Sequence, residues 1–336
     1  MKTHAPMNRT VLVTAIFFDE AANAFLKAHN CKVVFPGLGP GVADTSLSKE
    51  RMFELLRDAD AWIVGTAPVT REMLTSFPQL LVVAKRGVGY EQVDVAAAKE
   101  LRRVVTIAPG GNGPSVADHT IALMLAVARS LFEFRERMRS GNWSVQPVTE
   151  LYRKTVGLIG LGRIGRGVAQ RLKGFETTIL AFDEIPDQAY AAANGIRFVD
   201  LPFLLRDSDY ISLHLPLTPA SRHLINQAAL ASMKETAILV NTARGGLIDE
   251  AALLQALRAG KIGGAGLDVL LGEQDAAWRS VADELGRPAL RSSGIPPGAS
   301  APSHSGSGRC SCPGNLLAGC SAAAISAGTA LPPGQL

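Results

Sequence analysis

The stretch "VGLIGLGRIG", residues 156–165, carries three glycines in the pattern G-x-G-x-x-G directly after a short apolar run. In a strand–turn–helix unit, Gly160 would permit the tight bend, Gly162 would let the backbone approach a pyrophosphate, and Gly165 would let the helix pack closely on the strand. The amphipathic stretch that follows predicts a helix, whose N-terminus attracts phosphate groups. This context favours a dinucleotide site over a plain turn.

An acidic residue stands at the end of the next predicted strand. The run "ETTILAFD" ends in Asp183, about 20 residues beyond the glycines, where a carboxylate binds the ribose hydroxyls of a dinucleotide. The same carboxylate would repel the 2′-phosphate of NADP. The sequence therefore favours NAD as the cofactor.

Around this motif, from residue 10 to about 270, short β-branched runs alternate with segments of helical periodicity. Such alternation predicts parallel sheets with crossover helices, so the expected fold class is α/β with two doubly wound sheets. A long helical stretch from Pro114 to Gly141 separates two such blocks, and we predict one continuous bridging helix there. The predicted domains are 1–113, 114–290 (including that helix) and a tail, 291–336.

Composition limits the classes of partner. The net charge is +4 and the pI is about 8.9, with basic residues scattered along the chain, which does not favour nucleic acid. No apolar run has the length of a membrane helix, and the N-terminus shows no signal-peptide pattern. Cys31 is the single cysteine up to residue 309, as expected in a reducing compartment, so we predict a cytoplasmic protein that does not bind membranes.

The tail differs from the rest of the chain. Between residues 291 and 336, Ser, Gly, Ala and Pro supply 31 residues and Asp, Glu and Lys supply none, so this segment is predicted to be disordered. Its cysteines, Cys310, Cys312 and Cys320, match no zinc pattern, and we predict no metal site. A shift of reading frame is one hypothesis for this composition.

A candidate substrate ligand follows another predicted strand. In "ILVNTARGGLID", Arg244 comes just after a buried run, at the strand end where ligands bind in doubly wound sheets. A guanidinium there can hold a substrate carboxylate with two hydrogen bonds and polarise the neighbouring carbonyl. We expect Gly245 and Gly246 to leave its surroundings open. The alternative is a surface arginine that caps a helix beginning near Asp249.

The order of these motifs resembles one enzyme family over roughly residues 10 to 275. "KRGVGYEQVD", "SVADHTIALMLAVAR", "GLIGLGRIG", "LHLPLT", "NTARGGLIDE" and "GAGLDV" are similar to motifs of the D-isomer-specific 2-hydroxyacid dehydrogenases, which include D-3-phosphoglycerate dehydrogenase and glyoxylate/hydroxypyruvate reductase. The resemblance implies a flavodoxin-like substrate domain, a Rossmann NAD-binding domain, and hydride transfer between NAD and a D-2-hydroxyacid or its 2-keto acid.

The resemblance also assigns cofactor roles. Arg163 and Ile164 would contact the pyrophosphate, Thr242 and Ala243 would line the nicotinamide pocket, and Asp268 would accept a hydrogen bond from the nicotinamide carboxamide. The cofactor-binding residues implied are Gly160, Gly162, Arg163, Ile164, Gly165, Asp183, His214, Pro216, Thr242, Ala243 and Asp268.

For the substrate, the resemblance implies that Gly87, Val88 and Gly89 offer backbone amides to its carboxylate and that Arg244 holds it. Glu273 stands where the family has the carboxylate that pairs with the catalytic histidine and raises its pKa.

The family's histidine has no clear counterpart. In the family a proline follows the glutamate, and an apolar strand ends in Pro-His; here Gln274 replaces the proline. His304 lies 31 residues after Glu273 in a Ser/Gly-rich stretch, and we expect it to have no catalytic role. His119 and His214 are interpreted as a helix residue and a cofactor-pocket residue.

Three hypotheses remain open at this point: an NAD-dependent oxidoreductase impaired by the missing histidine, a catalytically silent NAD-binding protein resembling corepressors, and a truncated or frame-shifted inactive product. The loop at Thr66 and Ala67 is expected to line the substrate pocket, but it does not reveal which 2-hydroxyacid binds. The apolar face of the long helix, with Ile121, Leu125 and Leu131, predicts a homodimer.

Overall fold

The computed structural model describes residues 8–16, 18–39 and 41–271. The predictions for Glu273, for Gln274, for His304 and for the tail 291–336 lie outside the described residues. The described chain forms two compact units, 8–112 and 113–271.

The first unit contains one parallel sheet of five strands in the order β2-β1-β3-β4-β5. The strands are β1 (Arg9–Val13), β2 (Cys31–Val34), β3 (Ala61–Val64), β4 (Val82–Lys85) and β5 (Val104–Thr106). Its helices are α1 (Glu20–Ala28), α2 (Lys49–Leu56), α3 (Arg71–Ser76) and α4 (Val95–Glu100). This is the flavodoxin-like order, so the prediction for the first domain is confirmed.

Local sequence explains where these helices begin. In each of the four, the residue before the first turn is Asp, Ser or Thr, and its side chain accepts a hydrogen bond from a backbone N–H of that turn. The four capping residues are Asp19, Ser48, Thr70 and Asp94. The helices pack apolar faces against the sheet, and Trp62 of β3 is completely buried in the resulting core.

The second unit contains a parallel sheet of six strands in the order β11-β10-β9-β6-β7-β8. The strands are β6 (Thr155–Ile159), β7 (Thr178–Phe182), β8 (Ile196–Phe198), β9 (Tyr210–Leu213), β10 (Ile238–Asn241) and β11 (Gly264–Leu267). Within the unit this is the 3-2-1-4-5-6 order of a Rossmann domain, which confirms the second prediction. The order of the strands reverses between β6 and β9.

Seven helices accompany this sheet in the described part of the chain. They are α5 (Gly113–Ala128), α6 (Leu131–Arg139), α7 (Arg163–Leu172), α8 (Gln188–Asn194), α9 (Leu201–Asp207), α10 (Gln227–Ser232) and α11 (Glu250–Arg258). Helix α5 packs against α7, β10 and β11 and is therefore part of the Rossmann core.

The prediction of one long helix between 114 and 141 is wrong. Ser130 adopts a left-handed conformation (φ +50°), which cannot continue a right-handed helix, and α5 and α6 meet at a bend of 54°. Ile121 and Leu125 pack into the core of their own unit, so they do not form the unpaired face from which the homodimer was predicted. Leu131, in contrast, is 53% exposed.

Among the described helices, none is by itself long and apolar enough to cross a membrane, although the bent pair α5–α6 passes that test of length and composition when taken together.

Candidate functional site

The glycine turn after β6 has the shape that its sequence predicts. Gly160 has φ +98°, and a Cβ there would lie 2.7 Å from the carbonyl oxygen of His214, so no other residue fits without strain. A Cβ on Gly165 would lie 2.2 Å from the carbonyl oxygen of Gly160. Gly162, by contrast, is exposed, with no atom within 4 Å of its Cβ position.

Helix α7 begins directly at this open position, with Gly162 as its N-cap and Arg163 as its first residue. The first N–H groups of a helix have no carbonyl partner inside the helix and carry partial positive charge. The side chain of Arg163 is exposed, while Ile164 packs partly into the core. The turn can therefore accept an anionic group such as a pyrophosphate.

Asp183 lies one residue beyond β7, beside the glycine turn. Its Oδ2 accepts a hydrogen bond from the Leu161 amide at 2.7 Å, and its Oδ1 accepts one from the Ile185 amide at 3.0 Å. The residue is partly exposed. Since each carboxylate oxygen has a second lone pair, Asp183 retains acceptor capacity for ribose hydroxyls.

His214 follows β9 at the point where the strand order reverses, which is the usual ligand position in such sheets. Both ring nitrogens are shielded from solvent, and neither has a hydrogen-bond partner among the described residues. Burial lowers the pKa of this imidazole to about 4, so the ring is neutral at pH 7.

The environment of this ring tests whether the site fits a dinucleotide. A Cβ on Gly165 would lie 3.7 Å from the ring carbon Cδ2 of His214, so the imidazole stands beside the first turn of α7. Buried polar atoms are costly without a partner. An orphaned imidazole next to an open helix N-terminus fits a site whose missing hydrogen-bond partner is a bound polar group. Pro216, two residues on, is exposed.

The turn after β10 is held by a residue that sequence reasoning missed. Asn241 is completely buried; its side-chain N–H donates to the carbonyl of Arg244 at 2.9 Å, and its Oδ1 accepts from the Ala243 amide at 3.0 Å. Thr242 is also buried, and its Oγ1 lies 3.0 Å from Oγ1 of Thr120 on α5. Asn at the end of a predicted strand is a common turn residue, and this is the signal in the sequence that could have identified Asn241 as the residue that holds the turn.

Arg244 is half-buried, and its Nη1 donates a hydrogen bond to the carbonyl of Ala243 at 2.6 Å. The expectation that the two following glycines leave the surroundings open is wrong. Both are buried, and a Cβ on Gly245 would lie 2.3 Å from the backbone carbon of Leu270, while one on Gly246 would lie 3.0 Å from Leu217. These glycines instead allow close packing of neighbouring segments.

The alternative role for Arg244, capping the next helix, does not match the structure. Helix α11 begins at Glu250, and the side chain of Asp249 accepts a hydrogen bond from the Ala252 amide at 3.1 Å. Asp249 is therefore the cap.

Asp268 follows β11 and pairs with a histidine. Its Oδ1 lies 3.1 Å from Nε2 of His119 on α5, and its own amide donates to the carbonyl of Asn241 at 3.0 Å. The hydrogen bond with the Asp268 carboxylate raises the pKa of His119 above its usual value, against the opposing effect of partial burial. Sequence reasoning treated His119 as a plain helix residue because nothing in the pattern relates it to a position 149 residues away.

In the first unit, Gly87, Val88 and Gly89 follow β4. Gly87 has φ +115°, and the amides of the three residues donate no hydrogen bond within the part of the chain that the structure describes. Consecutive N–H groups at a turn of this kind form a concave site for an anion.

The loop at Thr66 and Ala67 follows β3 and is fixed by Asp44, a second residue that sequence reasoning missed. The buried carboxylate accepts hydrogen bonds from the amides of Gly65, Thr66 and Ala67 at 2.7–2.8 Å. The sequence around Asp44, "GVADTSL", carries no pattern that indicates this network. In neither unit do three or more His, Cys, Asp or Glu side chains of the described residues gather as metal ligands would.

Comparisons with known proteins agree with this geometry. A family model described as D-isomer specific 2-hydroxyacid dehydrogenase, NAD binding domain, matches residues 121–285. The chain is 43% identical over 229 residues to D-3-phosphoglycerate dehydrogenase of Methanocaldococcus jannaschii, covering 67% of this chain but only 44% of that protein. It is 41% identical to glyoxylate reductase of Korarchaeum cryptofilum, covering 66% of this chain and 69% of that protein.

A solved structure shares the fold. The D-lactate dehydrogenase of Aquifex aeolicus, complexed with NAD and lactic acid, is 28% identical and superposes with a TM-score of 0.68, covering 82% of this chain and 81% of that one. The chain thus spans less than half of one curated relative and more than two thirds of the other. Its sheet orders, its glycine turn and these likenesses agree, and the chain belongs to the D-isomer-specific 2-hydroxyacid dehydrogenase family, with NAD as the cofactor of its Rossmann domain.

Proposed function

We propose that this protein is an NAD-dependent oxidoreductase that interconverts a D-2-hydroxyacid and its 2-keto acid. One observation carries the proposal. Four neighbouring strands of the Rossmann sheet, β6, β9, β10 and β11, end at the glycine turn, at His214, at the Thr242–Arg244 turn and at Asp268 respectively. Because parallel strands end on the same edge of the sheet, these groups face one crevice.

When bound, NAD⁺ would accept a hydride from the hydroxyacid, and NADH would donate one to the keto acid. The glycine turn and the N-terminus of α7 bind the pyrophosphate, and Asp183 binds the ribose hydroxyls. Thr242 and Ala243 line the nicotinamide pocket, and Asp268 accepts a hydrogen bond from the carboxamide. These residue roles follow the family resemblance and are supported by the positions described above.

Arg244 binds the substrate carboxylate and polarises the adjacent carbonyl, so that a keto acid accepts hydride more readily. In the first unit, the amides of Gly87, Val88 and Gly89 provide a site for the same class of anion. The substrate class is therefore a small 2-hydroxy or 2-keto acid.

The proposed turnover is slow, because the sequence contains no counterpart of the family's Pro-His pair. Glu273, the proposed partner of an acid–base group, lies outside the described residues. A positioned acid–base side chain contributes about 10²- to 10⁴-fold to rate. The same observation favours a second candidate, an NAD-binding protein without catalysis.

We also propose that the protein forms a homodimer through α6 and the segment after it. The exposed apolar side chains there are Leu131, Phe132, Met138, Trp143 and Val145, which are 40% to 96% exposed. Apolar side chains gathered along one segment are typical of an interface. A monomeric mass in light scattering at micromolar concentration would contradict this.

Activity assays separate the two candidate functions. Oxidation of NADH is followed with hydroxypyruvate, glyoxylate and phosphohydroxypyruvate as substrates, using wild-type protein, Arg244→Gln and the exposed control Arg222→Gln. A dehydrogenase should lose about 10²- to 10³-fold in kcat/KM in Arg244→Gln while NADH still binds, with Arg222→Gln unchanged. Cofactor binding without any turnover of the three acids would support the silent protein.

A further inference from the structure

The pair formed by His119 and Asp268 links helix α5 to the end of β11. Asp268 is fixed at two points, since its amide donates to the carbonyl of Asn241 and its Oδ1 lies 3.1 Å from Nε2 of His119. The other carboxylate oxygen, Oδ2, has no hydrogen-bond partner among residues 8–271 as far as the structure describes them. Both side chains are about one third exposed (31% and 34%), so the pair is reachable from solvent.

We propose that His119 is a positioning residue that holds Oδ1 of Asp268, leaves Oδ2 for the nicotinamide carboxamide, and makes the affinity for oxidised cofactor depend on pH. This inference rests on the proposed function, which assigns the carboxamide to Asp268.

The charge of the pair explains the dependence on pH. With His119 protonated the pair is neutral overall, and with His119 neutral it carries one negative charge. The nicotinamide ring is positively charged in NAD⁺ and uncharged in NADH. Loss of the proton from His119 therefore strengthens the binding of NAD⁺ and changes that of NADH much less.

In the part of the chain that the structure describes, few other charged groups lie on the elements packed against α5. On α7, Arg171 is paired with Asp118 of α5 itself. After β10, the guanidinium of Arg244 donates to the carbonyl of Ala243. Asp268, after β11, is the charged group that hydrogen-bonds to the His119 ring, and its carboxylate raises the pKa of His119. The pH at which the pair changes its charge is therefore set mainly by these two residues.

The first experiment titrates the full-length protein with NAD⁺ and with NADH by calorimetry between pH 6 and 9. Glutamine at position 119 places an amide N–H where Nε2 stands but does not titrate, so His119→Gln is the informative variant. In the wild type we expect NAD⁺ to bind about three- to tenfold more tightly at pH 9 than at pH 6, with NADH changing by less than about twofold. In His119→Gln the NAD⁺ profile should be flat. His29→Gln, at an exposed histidine of the first unit, should keep the wild-type profile.

A second measurement does not depend on the variant at position 119. The imidazole pKa of His119, followed by NMR, should fall in Asp268→Asn. By reciprocity of linked binding, it should also fall in the wild type when NAD⁺ is added, but not when NADH is added. An unchanged pKa in both cases overturns the inference.

Different results would contradict the role of His119 and the proposed function. If the wild type binds both cofactors and His119→Gln keeps the wild-type pH profile, the role of His119 is wrong and the proposed function stands. If the wild type binds neither cofactor at any pH, the cofactor site itself is wrong, and the inference falls with it.

Discussion

The carboxylate of Asp44 accepts a hydrogen bond from Oγ1 of Thr14 at 2.8 Å, and the same Oγ1 accepts one from the indole N–H of Trp62 at 2.9 Å. Thr14 follows β1, and the amides that Asp44 also binds follow β3, the neighbouring strand. One buried carboxylate thus joins two strand ends of the first unit at the point where its strand order reverses.

We predict that Asp44→Ala destabilises the protein by about 3 kcal/mol, because buried N–H and O–H donors lose their acceptor. Unfolding in urea, followed by tryptophan fluorescence, measures this loss. Asp58→Ala, at an exposed carboxylate on the same unit, is the matched control and should leave the midpoint nearly unchanged. Equal effects of the two substitutions would show that the Asp44 network adds little.

We predict that substituting two glycines of the same turn affects different properties, stability in one case and NADH binding in the other. Gly160→Ala should lower the free energy of unfolding by about 2 kcal/mol or more, because φ is +98° and the new Cβ meets the carbonyl of His214. Gly162→Ala should cost no more than about 1 kcal/mol, since its Cβ enters open space and only the N-cap position becomes less favourable, and it should weaken NADH binding by obstructing the pyrophosphate. Thermal unfolding and NADH titration of both variants check this. Full NADH affinity in Gly162→Ala would place the pyrophosphate elsewhere.

We predict that stability decreases as the pH falls from 6.5 towards 4 because of His214. Its pKa in the folded protein is about 4, below the ordinary value of 6.5, so the unfolded chain binds more protons in this window. Stability therefore rises with pH between the two values, and the loss at the acid end is about 3 kcal/mol at most. Urea unfolding at pH 4.5 and 7 should show a smaller difference in His214→Asn than in the wild type. The same pH difference in both proteins would count against this assignment.

We predict that the contribution of His119 to stability depends on pH in the opposite direction to that of His214. Its pKa is raised in the folded protein, so its contribution to stability is present below the unfolded pKa and is lost as the pH rises through the folded pKa. Substitution by Gln should therefore cost more stability at pH 6 than at pH 9. Thermal unfolding at both pH values measures this cost. The difference between the cost at pH 6 and the cost at pH 9 should vanish when His119→Gln is made in Asp268→Asn protein, because that variant lacks the partner charge.

We predict that Asp183→Ser improves the affinity for NADP relative to NAD by about tenfold, because the carboxylate that repels a 2′-phosphate is removed. Fluorescence titration of both cofactors gives the ratio. Glu184→Gln removes an exposed charge one residue away and should leave the ratio near that of the wild type. If wild-type protein already binds NADP as tightly as NAD, the carboxylate does not face the ribose.

The α/β class and the nucleotide turn could be predicted because short local patterns of sequence indicate both of them. Alternating apolar runs specify strands and helices within a few residues. Gly160 has to be glycine because the turn itself gives it a positive φ, and Gly165 has to be glycine because its Cβ would meet the carbonyl of Gly160 in the same strand–turn–helix unit. The break after α5 was not predicted, since the left-handed Ser130 stands in a stretch whose helical pattern continues past it.

By itself, therefore, the sequence determined the two parallel sheets, because alternating strand and helix patterns imply parallel pairing through crossover helices. It also determined the glycine turn and the position of Asp183 beside it, because consecutive strands of one βαβ unit pair and their ends meet. Only the tertiary structure decided that Asp268 pairs with His119, that Asp44 ties Thr14 to the loop after β3, and that Gly245 packs on Leu270. Those partners come together through the order of strands in a sheet and the packing of helices on it. Residues far apart in the chain meet in this way without any pattern that relates their positions.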